Sequence, residues 1–206
     1  MVQCFLRMRR LHIAAIFFAG VLGGTRFGVA WADELKATPE IVISVDDQEL
    51  QVVKADQIVE KFPISTSKFG VGDDLRSYKT PVGVLEVCAK AGGKLPEGAV
   101  IKGGSFTGEV LPPNAPGRDP IVTRMIRLRG KEPQNSHTMA RGIFIHGTPE
   151  EKAIGKPVSW GCIRMRSKDV VALFNQVQVG TRVVIRSTGH SQQRHGFGAW
   201  VARWLS

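Results

Sequence analysis

Ile145-His146-Gly147-Thr148, followed by Pro157-Val-Ser-Trp-Gly-Cys-Ile-Arg-Met165, is the stretch of sequence on which the interpretation of this chain rests. A loop of 15 residues separates His146 from Cys162 and is long enough to bring imidazole and thiol together. A cysteine nucleophile needs an accessible thiol, a neighbouring base or cation, and backbone N–H groups where an oxyanion forms. Gly161 lets the backbone approach a substrate closely. The segment predicts a Cys–His catalytic pair, with a buried structural Cys and a satisfied core His as the alternative.

Outside this segment, alternating apolar and polar residues predict a mainly β domain. Ser167 is the expected N-cap of one helix over residues 168–177, with Val170, Val171, Phe174 and Val177 on its buried face. Residues 68–77 and 91–120 are predicted loops, the second a long surface excursion with little regular structure of its own. The predicted strands are residues 41–45, 50–53, 58–62, 82–87, 121–128, 143–145 and 181–185.

The first 32 residues have the pattern of a secretory signal peptide. Three arginines, at positions 7, 9 and 10, precede an apolar run over residues 11–20. The run is shorter than the about 20 residues that a membrane-spanning helix needs. Ala30-Trp31-Ala32 is a small-x-small cleavage triplet, although an uncleaved anchor is the alternative. We therefore expect an exported protein with a signal peptide (1–32), a linker (33–40), one domain (41–186) and a C-terminal tail (187–206).

The formal net charge is +10 at pH 7. A basic exported domain is attracted to an anionic cell wall, although the charge can equally serve solubility alone. No basic run interleaves with aromatic residues, so nucleic acid is not an expected partner. Apolar residues at helical spacing in the tail, from Phe197 to Leu205, pack on the domain or touch a membrane surface. Membrane contact is expected only through the signal peptide or this tail.

Two cysteines, Cys88 and Cys162, follow the signal segment. In an oxidising compartment, two cysteines raise the possibility of a disulfide and a redox role. Cys88 lies on a predicted strand and is most simply a small buried side chain. One His and one Cys fall well short of a zinc site, so neither a metal nor another cofactor is expected.

The central segment resembles the signature of the L,D-transpeptidase catalytic domain family, a His-Gly-Thr element followed after a gap by Ser-x-Gly-Cys-Ile-Arg-Met. Upstream, Pro-Ile-Ser-Thr-Ser at 63–67 and Tyr-Lys-Thr-Pro-Val-Gly at 78–83 are similar to a strand and turn of the family. Downstream, residues 167–185 are similar to its helix and closing strand. Four such elements in order are specific evidence. The resemblance implies an L,D-transpeptidase-type β-sandwich or barrel with one or two short helices.

The resemblance also assigns residue roles. It makes Cys162 the nucleophile and His146 the general base. Gly147 and Ser159 would line the site, and main-chain N–H groups around Gly161 and Cys162 would be the oxyanion donors.

Two further positions within the motif need separate interpretation. Arg164 would hold a substrate carboxylate or form an internal ion pair that braces the cysteine loop. Trp160 is a departure, because members of the family commonly have His there. Since Trp cannot accept a proton, we interpret it as a wall of the site.

The implied reaction is a ping-pong acyl transfer on peptidoglycan stem peptides in the periplasm or cell wall. The thiolate would attack the carbonyl of the L-centre of a diamino acid, and the terminal D-residue would leave. An amine would then give a cross-link or attach a protein. Residues 91–120 would form the acceptor wall, with Lys90, Lys94, Lys102 and Arg118 attracting a carboxylate. The alternatives are a hydrolase on the same fold, of the L,D-carboxypeptidase or amidase type, and a non-catalytic wall-binding module.

Overall fold

The computed structural model describes residues 38–188. The predicted signal peptide, most of the linker and the tail beyond residue 188 therefore lie outside the described residues. Within this range, no helix has the length and apolar character needed to cross a membrane.

Strands dominate the described chain, as the alternating pattern predicts. The α-helix α1 spans Ser167–Gln176, and single 3₁₀ turns lie at Pro133–Asn135 and Glu151–Ala153. The strands are β1 (Glu40–Ser44), β2 (Glu49–Lys54), β3 (Gln57–Pro63), β4 (Gly83–Ala91), β5 (Ala99–Lys102), β6 (Ser105–Val110), β7 (Val122–Gly130), β8 (Phe144–Gly147), β9 (Ile163–Met165) and β10 (Arg182–Arg186).

The ten strands form one sheet in the order β3-β2-β1-β10-β4-β7-β5-β6, and β8 and β9 branch from β7. Two pairings are parallel, β1 with β10 and β8 with β9. The mainly β prediction with one or two short helices is confirmed. The prediction also allowed a barrel, and this part of it is wrong. β3 and β6 lie at the two ends of this strand order and do not pair with each other, so the sheet does not close.

Apolar side chains that alternate along β1, β2, β4, β7, β8 and β9 form the core together with one face of α1. The helix packs against β7 and β8. Its buried residues Val170 and Leu173 are fully covered, whereas Val171 and Phe174 are only half-buried, so the predicted buried face is corrected. The helix begins at Ser167 itself, and Arg166 is the N-cap residue, without a capping side chain.

The region 91–120 has more regular structure than its composition predicts. Strand β4 continues to Ala91, and β5 and β6 form a hairpin across Gly103 and Gly104. Val100 of β5 pairs with Val122 of β7, which ties the hairpin to the sheet. The expectation of a loop with little structure is wrong. β5 pairs with β6 and with β7, and the side chains of Ala99, Val100 and Ile101 are buried.

Two of the four basic residues assigned to the acceptor wall already bind other groups of the protein. The Lys90 ammonium donates to the carbonyl oxygens of Phe174 (2.7 Å) and Val177 (2.5 Å), where it stabilises the C-terminal end of α1. Arg118 forms an exposed ion pair with Glu109 of β6. Lys90 is therefore a helix-capping residue, and its assignment to a carboxylate-binding wall is corrected.

Cys88 lies on β4 and is half-buried, so the predicted small buried side chain is only partly covered. It stands at the bulge where the β4–β7 register shifts between Val87 and Ala89. No disulfide links it to Cys162. The structure thus gives no support to a redox role for the pair.

The loop between β3 and β4 is held by a buried ion pair. The Arg141 guanidinium lies 2.7 Å from the Asp73 carboxylate, and both side chains are 3% exposed. The same guanidinium donates to the carbonyls of Gly72, Ser77 and Lys79 at 2.6–3.1 Å. A single cation thereby fixes the loop that leads into β4.

We expect Asp73→Ala to lower the free energy of unfolding by about 3–5 kcal/mol, because it leaves the Arg141 charge buried without its partner. Lys61→Ala is the matched control, since its ion pair with Glu49 is exposed (54% and 30%) and contributes about 0–1 kcal/mol. Urea unfolding followed by circular dichroism measures both. Equal losses in the two variants would contradict the assignment.

Candidate active site

The parallel pairing of β8 with β9 brings the predicted site residues together. Ile145 pairs with Ile163, and His146 pairs with Arg164. Side chains alternate across a strand, so the two isoleucines enter the core while His146 and Arg164 share the opposite face. Cys162 directly precedes β9 and lies next to Phe144 by the same register. The structure therefore places nucleophile and base candidates on one face of adjacent strands.

His146 is buried and its ring orientation is fixed. Its Nδ1 lies 2.8 Å from the Gly147 carbonyl oxygen. A carbonyl only accepts, so Nδ1 carries the proton and Nε2 presents the lone pair. Burial lowers the pKa of His146, and the ring is therefore neutral at pH 7. A neutral imidazole with a free Nε2 is the form that a general base requires.

Gly147 is required by the close approach of β7. A Cβ at this position would lie 2.6 Å from the Val122 carbonyl oxygen and 3.2 Å from Thr123 Cβ. The β7–β8 register shifts between Val122 and Met125, and Thr123 within this bulge has a φ of +68°. Such a backbone is strained for a β-branched residue, and bulges of this kind are common beside active sites.

Cys162 is half-buried at the end of a tight turn. Its Sγ lies 3.6 Å from the Gly142 carbonyl oxygen. Gly161 has a φ of +119°, and a Cβ there would lie 3.2 Å from the Lys79 carbonyl oxygen. The Thr80 hydroxyl donates to the Gly161 carbonyl at 3.1 Å. Glycine is thus needed before the cysteine for its backbone conformation and for the loop packed against it.

Ser159 braces this turn from inside. Its side chain is fully buried, and its hydroxyl donates to the Cys162 carbonyl at 2.6 Å and accepts from the Gly161 N–H at 3.2 Å. Its backbone N–H donates to Thr66. The structure therefore places Ser159 beneath the cysteine turn, where its contacts are internal.

Arg164 is held between two carboxylates. Its guanidinium lies 2.6 Å from Asp119 and 3.1 Å from Glu150, and its side chain is 9% exposed. Thr148 of the His-Gly-Thr element donates its hydroxyl to Asp119 and accepts from the Glu150 N–H at 3.0 Å. Of the two interpretations of Arg164, the internal ion pair is thus present in the structure.

Opposing effects act on the Cys162 thiol. Burial raises the pKa of Cys162 and dominates. The Phe144 N–H and the guanidinium groups of Arg164 and Arg141 work against it by favouring the thiolate. The net effect is that the pKa of Cys162 lies above the ordinary thiol value, which favours the thiol form.

Sequence reasoning missed Arg141 and Asp119. Arg141 orders the loop next to Gly161, and Asp119 anchors Arg164 and also favours a protonated His146. Neither residue belongs to a recognisable motif, and their partners are 68 and 45 positions away along the chain. Among residues 38–188, no group of three or more His, Cys, Asp and Glu side chains is placed to hold a metal ion.

A mainly β domain with a buried His on one strand and a half-buried Cys at the start of the neighbouring strand has features expected of a cysteine-type acyltransferase. The family profile described as the YkuD L,D-transpeptidase catalytic domain matches residues 38–185. YqjB of Bacillus subtilis, a protein named for L,D-transpeptidase activity, is 34% identical over 157 residues, which cover 76% of each chain. The chain therefore belongs to the L,D-transpeptidase catalytic domain family and is an enzyme of that class.

Other similarities are more local. ErfK/SrfK of Salmonella typhimurium, named a "Probable L,D-transpeptidase", is 56% identical over 69 residues, which cover 32% of this chain and 21% of that protein. An L,D-transpeptidase structure from Mycobacterium smegmatis has a TM-score of 0.48 at 18% identity, covering 73% of this chain and 59% of that chain. The catalytic domain from E. faecium has a TM-score of 0.46 at 19% identity, with 98% of that chain covered.

The balance of effects on the thiol gives a pH prediction. We expect the rate of Cys162 alkylation by iodoacetamide to rise with pH and to reach half-maximum above about 8.5, the ordinary thiol value, because burial dominates. Mass spectrometry of the peptide that contains Cys162, after proteolysis of the alkylated protein, measures the rate at this thiol and separates it from Cys4 and Cys88. A half-maximum below neutral pH would instead indicate a preformed thiolate–imidazolium pair.

Proposed function

We propose that this enzyme is an exported L,D-transpeptidase that acts on peptidoglycan stem peptides through a thioester on Cys162. The observation that carries the proposal is the shared face of β8 and β9, where the Nδ1–H of His146 is fixed on Gly147 and Nε2 is left as a base on the same side as Cys162. Family membership independently supports the same reaction class.

In the first half-reaction, His146 Nε2 takes the thiol proton as Sγ attacks the carbonyl of the L-centre of the diamino acid. Because thiol and imidazole both start neutral, the charged pair forms only as the substrate is attacked. The tetrahedral oxyanion accepts from main-chain donors at the cysteine turn. The Gly161 N–H already donates to Ser159 Oγ, so we assign the Cys162 N–H as the main donor.

Collapse of the intermediate breaks the C–N bond, and the imidazolium returns its proton to the leaving D-amino acid. The acyl group then stays on Cys162 as a thioester. An amine from a second stem, or from a protein, attacks this thioester while His146 accepts its proton. The product is a cross-link or an attached protein, and the thiol is regenerated.

The acceptor is proposed to enter along the loop that follows β6. Asn114 fixes this loop beside the site, since its N–H donates to the Pro149 carbonyl at 2.6 Å and its side chain accepts from the Lys152 N–H at 2.9 Å. The loop ends at Asp119, which contacts Arg164. Loops held on a rigid scaffold in this way commonly form binding walls.

The decisive experiment is incubation with purified muropeptides followed by mass analysis. We expect cross-linked dimer to accumulate with release of the terminal D-residue, and we expect Cys162→Ser to lower the rate by at least about 10³-fold. His146→Gln should lower it by about 10²–10⁴-fold, the usual contribution of a general base.

Lys61→Ala is the matched control, because the residue lies on β3 and its exposed ion pair joins it to Glu49 of β2, which is not a residue of the cysteine turn. Tripeptide as the sole product with abundant acceptor present would favour the hydrolase alternative. Turnover that survives in Cys162→Ser would refute the proposed nucleophile, and an absence of turnover in the unaltered enzyme would favour the wall-binding alternative.

Export is proposed from the N-terminal pattern of basic, apolar and small-x-small segments. We expect the exported protein to begin at Asp33, since Ala30-Trp31-Ala32 is the well-placed cleavage triplet. Intact-mass measurement of protein recovered from outside the cytoplasmic membrane reports the N-terminus directly. Protein that retains residues 1–32 there would show the uncleaved anchor instead.

A further inference from the structure

Three exposed aromatic rings form a cluster beside the cysteine turn. The ring centroids of Phe69, Tyr78 and Trp160 lie 5.0–5.7 Å apart, and Trp160 meets both other rings edge-to-face. The three residues are 43%, 55% and 54% exposed. Large apolar side chains gathered at the surface in this way mark interaction sites.

The cluster is held in place by its backbone. The Ser67 hydroxyl donates to the Tyr78 carbonyl at 2.5 Å and accepts from the Phe69 N–H at 3.0 Å. The Lys68 N–H donates to the Ser159 carbonyl, next to Trp160. Arg141 holds the carbonyls on both sides of Tyr78. The rings therefore form a preorganised surface, which lowers the ordering cost of binding.

The edges of this surface are polar. The Lys68 ammonium stands 4.3 Å from the Trp160 ring centroid and 5.2 Å from that of Phe69. Tyr78 and Trp160 add a phenol and an indole N–H, both able to donate a hydrogen bond. Flat apolar faces bordered by hydrogen-bond donors match a sugar ring, which has an apolar C–H face and a rim of hydroxyl and amide oxygens.

The distance between the aromatic cluster and Cys162 is compatible with the length of the proposed donor stem. Trp160 is two residues from Cys162, so their Cα atoms lie within about 7 Å. When the terminal D-residue leaves, a tripeptide remains, and its third residue carries the thioester carbonyl. All three residues therefore separate that carbonyl from the glycan-bearing end, and they span at most about 10–11 Å. A sugar at that end thus comes within reach of the aromatic rings while the carbonyl is at the thiol.

We propose that Phe69, Tyr78 and Trp160 form a subsite that binds a sugar ring of the glycan to which the donor stem is attached. The inference rests on the proposed function for its substrate. A subsite of this kind makes the enzyme selective for stems that still carry sugar. Trp160 then has a role in specificity, at a position where members of the family commonly have His.

The test compares two donors, a free tetrapeptide and the same tetrapeptide carrying its disaccharide. We expect kcat/KM to favour the disaccharide donor by roughly tenfold, the upper end for one aromatic contact. Trp160→Ala should reduce this ratio to about one, and Trp160→Phe should retain part of it. Leu75→Ala is the control, because Leu75 is also exposed (61%) and lies on the β3–β4 loop that carries Phe69 and Tyr78, but is not among the ring contacts of the cluster. Its ratio should stay unchanged.

A ratio of one in the unaltered enzyme, or a ratio that persists in Trp160→Ala, would overturn the sugar subsite. A fall in kcat/KM for both donors at constant ratio would show that the rings contact the peptide and would also overturn it. If neither donor turns over, the proposed function fails, and calorimetric titration with a peptide-free N-acetylglucosamine oligomer decides the subsite separately. Binding that weakens about tenfold in Trp160→Ala supports it, and equal or absent binding refutes it.

Discussion

The site depends on a short parallel ladder between β8 and β9. Burial of Ile145 and Ile163 in the core sets the register, and each buried side chain of this kind contributes about 1.5–3 kcal/mol. Because side chains alternate, a slip of β9 by one residue would turn Ile163 away from the core and Arg164 into it. The hydrophobic core thus determines where the candidate base and nucleophile lie, although neither belongs to it.

Two buried guanidinium groups extend this control to the loops. Arg164 joins the end of the β6–β7 loop to the segment after β8, and Arg141 joins the β3–β4 loop to the residues before β8. Each is neutralised by a carboxylate, as buried charges must be. Both favour the thiolate, yet burial outweighs them at Cys162. The proposed mechanism therefore generates its nucleophile during attack and does not store a thiolate in the resting enzyme.

Local pattern was sufficient for most strands and for the helix, because alternation is encoded in neighbouring residues, whereas the Cys–His pair stays a prediction from motif spacing. Long-range contacts were not predictable. The β5–β6 hairpin was not predicted because its segment is rich in glycine and proline, which are typical of loops. The pairing of β5 with β7 is a tertiary contact that the local sequence does not encode. The helix face was ambiguous because Val170, Val171, Leu173 and Phe174 are all apolar. The internal role of Ser159 became visible only once its hydroxyl was placed against the cysteine turn.

The position of β10, the last strand of residues 38–188, has a consequence for the order of folding. β10 lies between β1 and β4, pairing in parallel with the first strand and antiparallel with the fourth. A nascent chain that has not yet released residues 182–186 holds two half-sheets, each with an unpaired inner edge. Such distant pairing raises contact order and slows folding. The two half-sheets therefore cannot join until β10 is available to pair with β1 on one side and with β4 on the other.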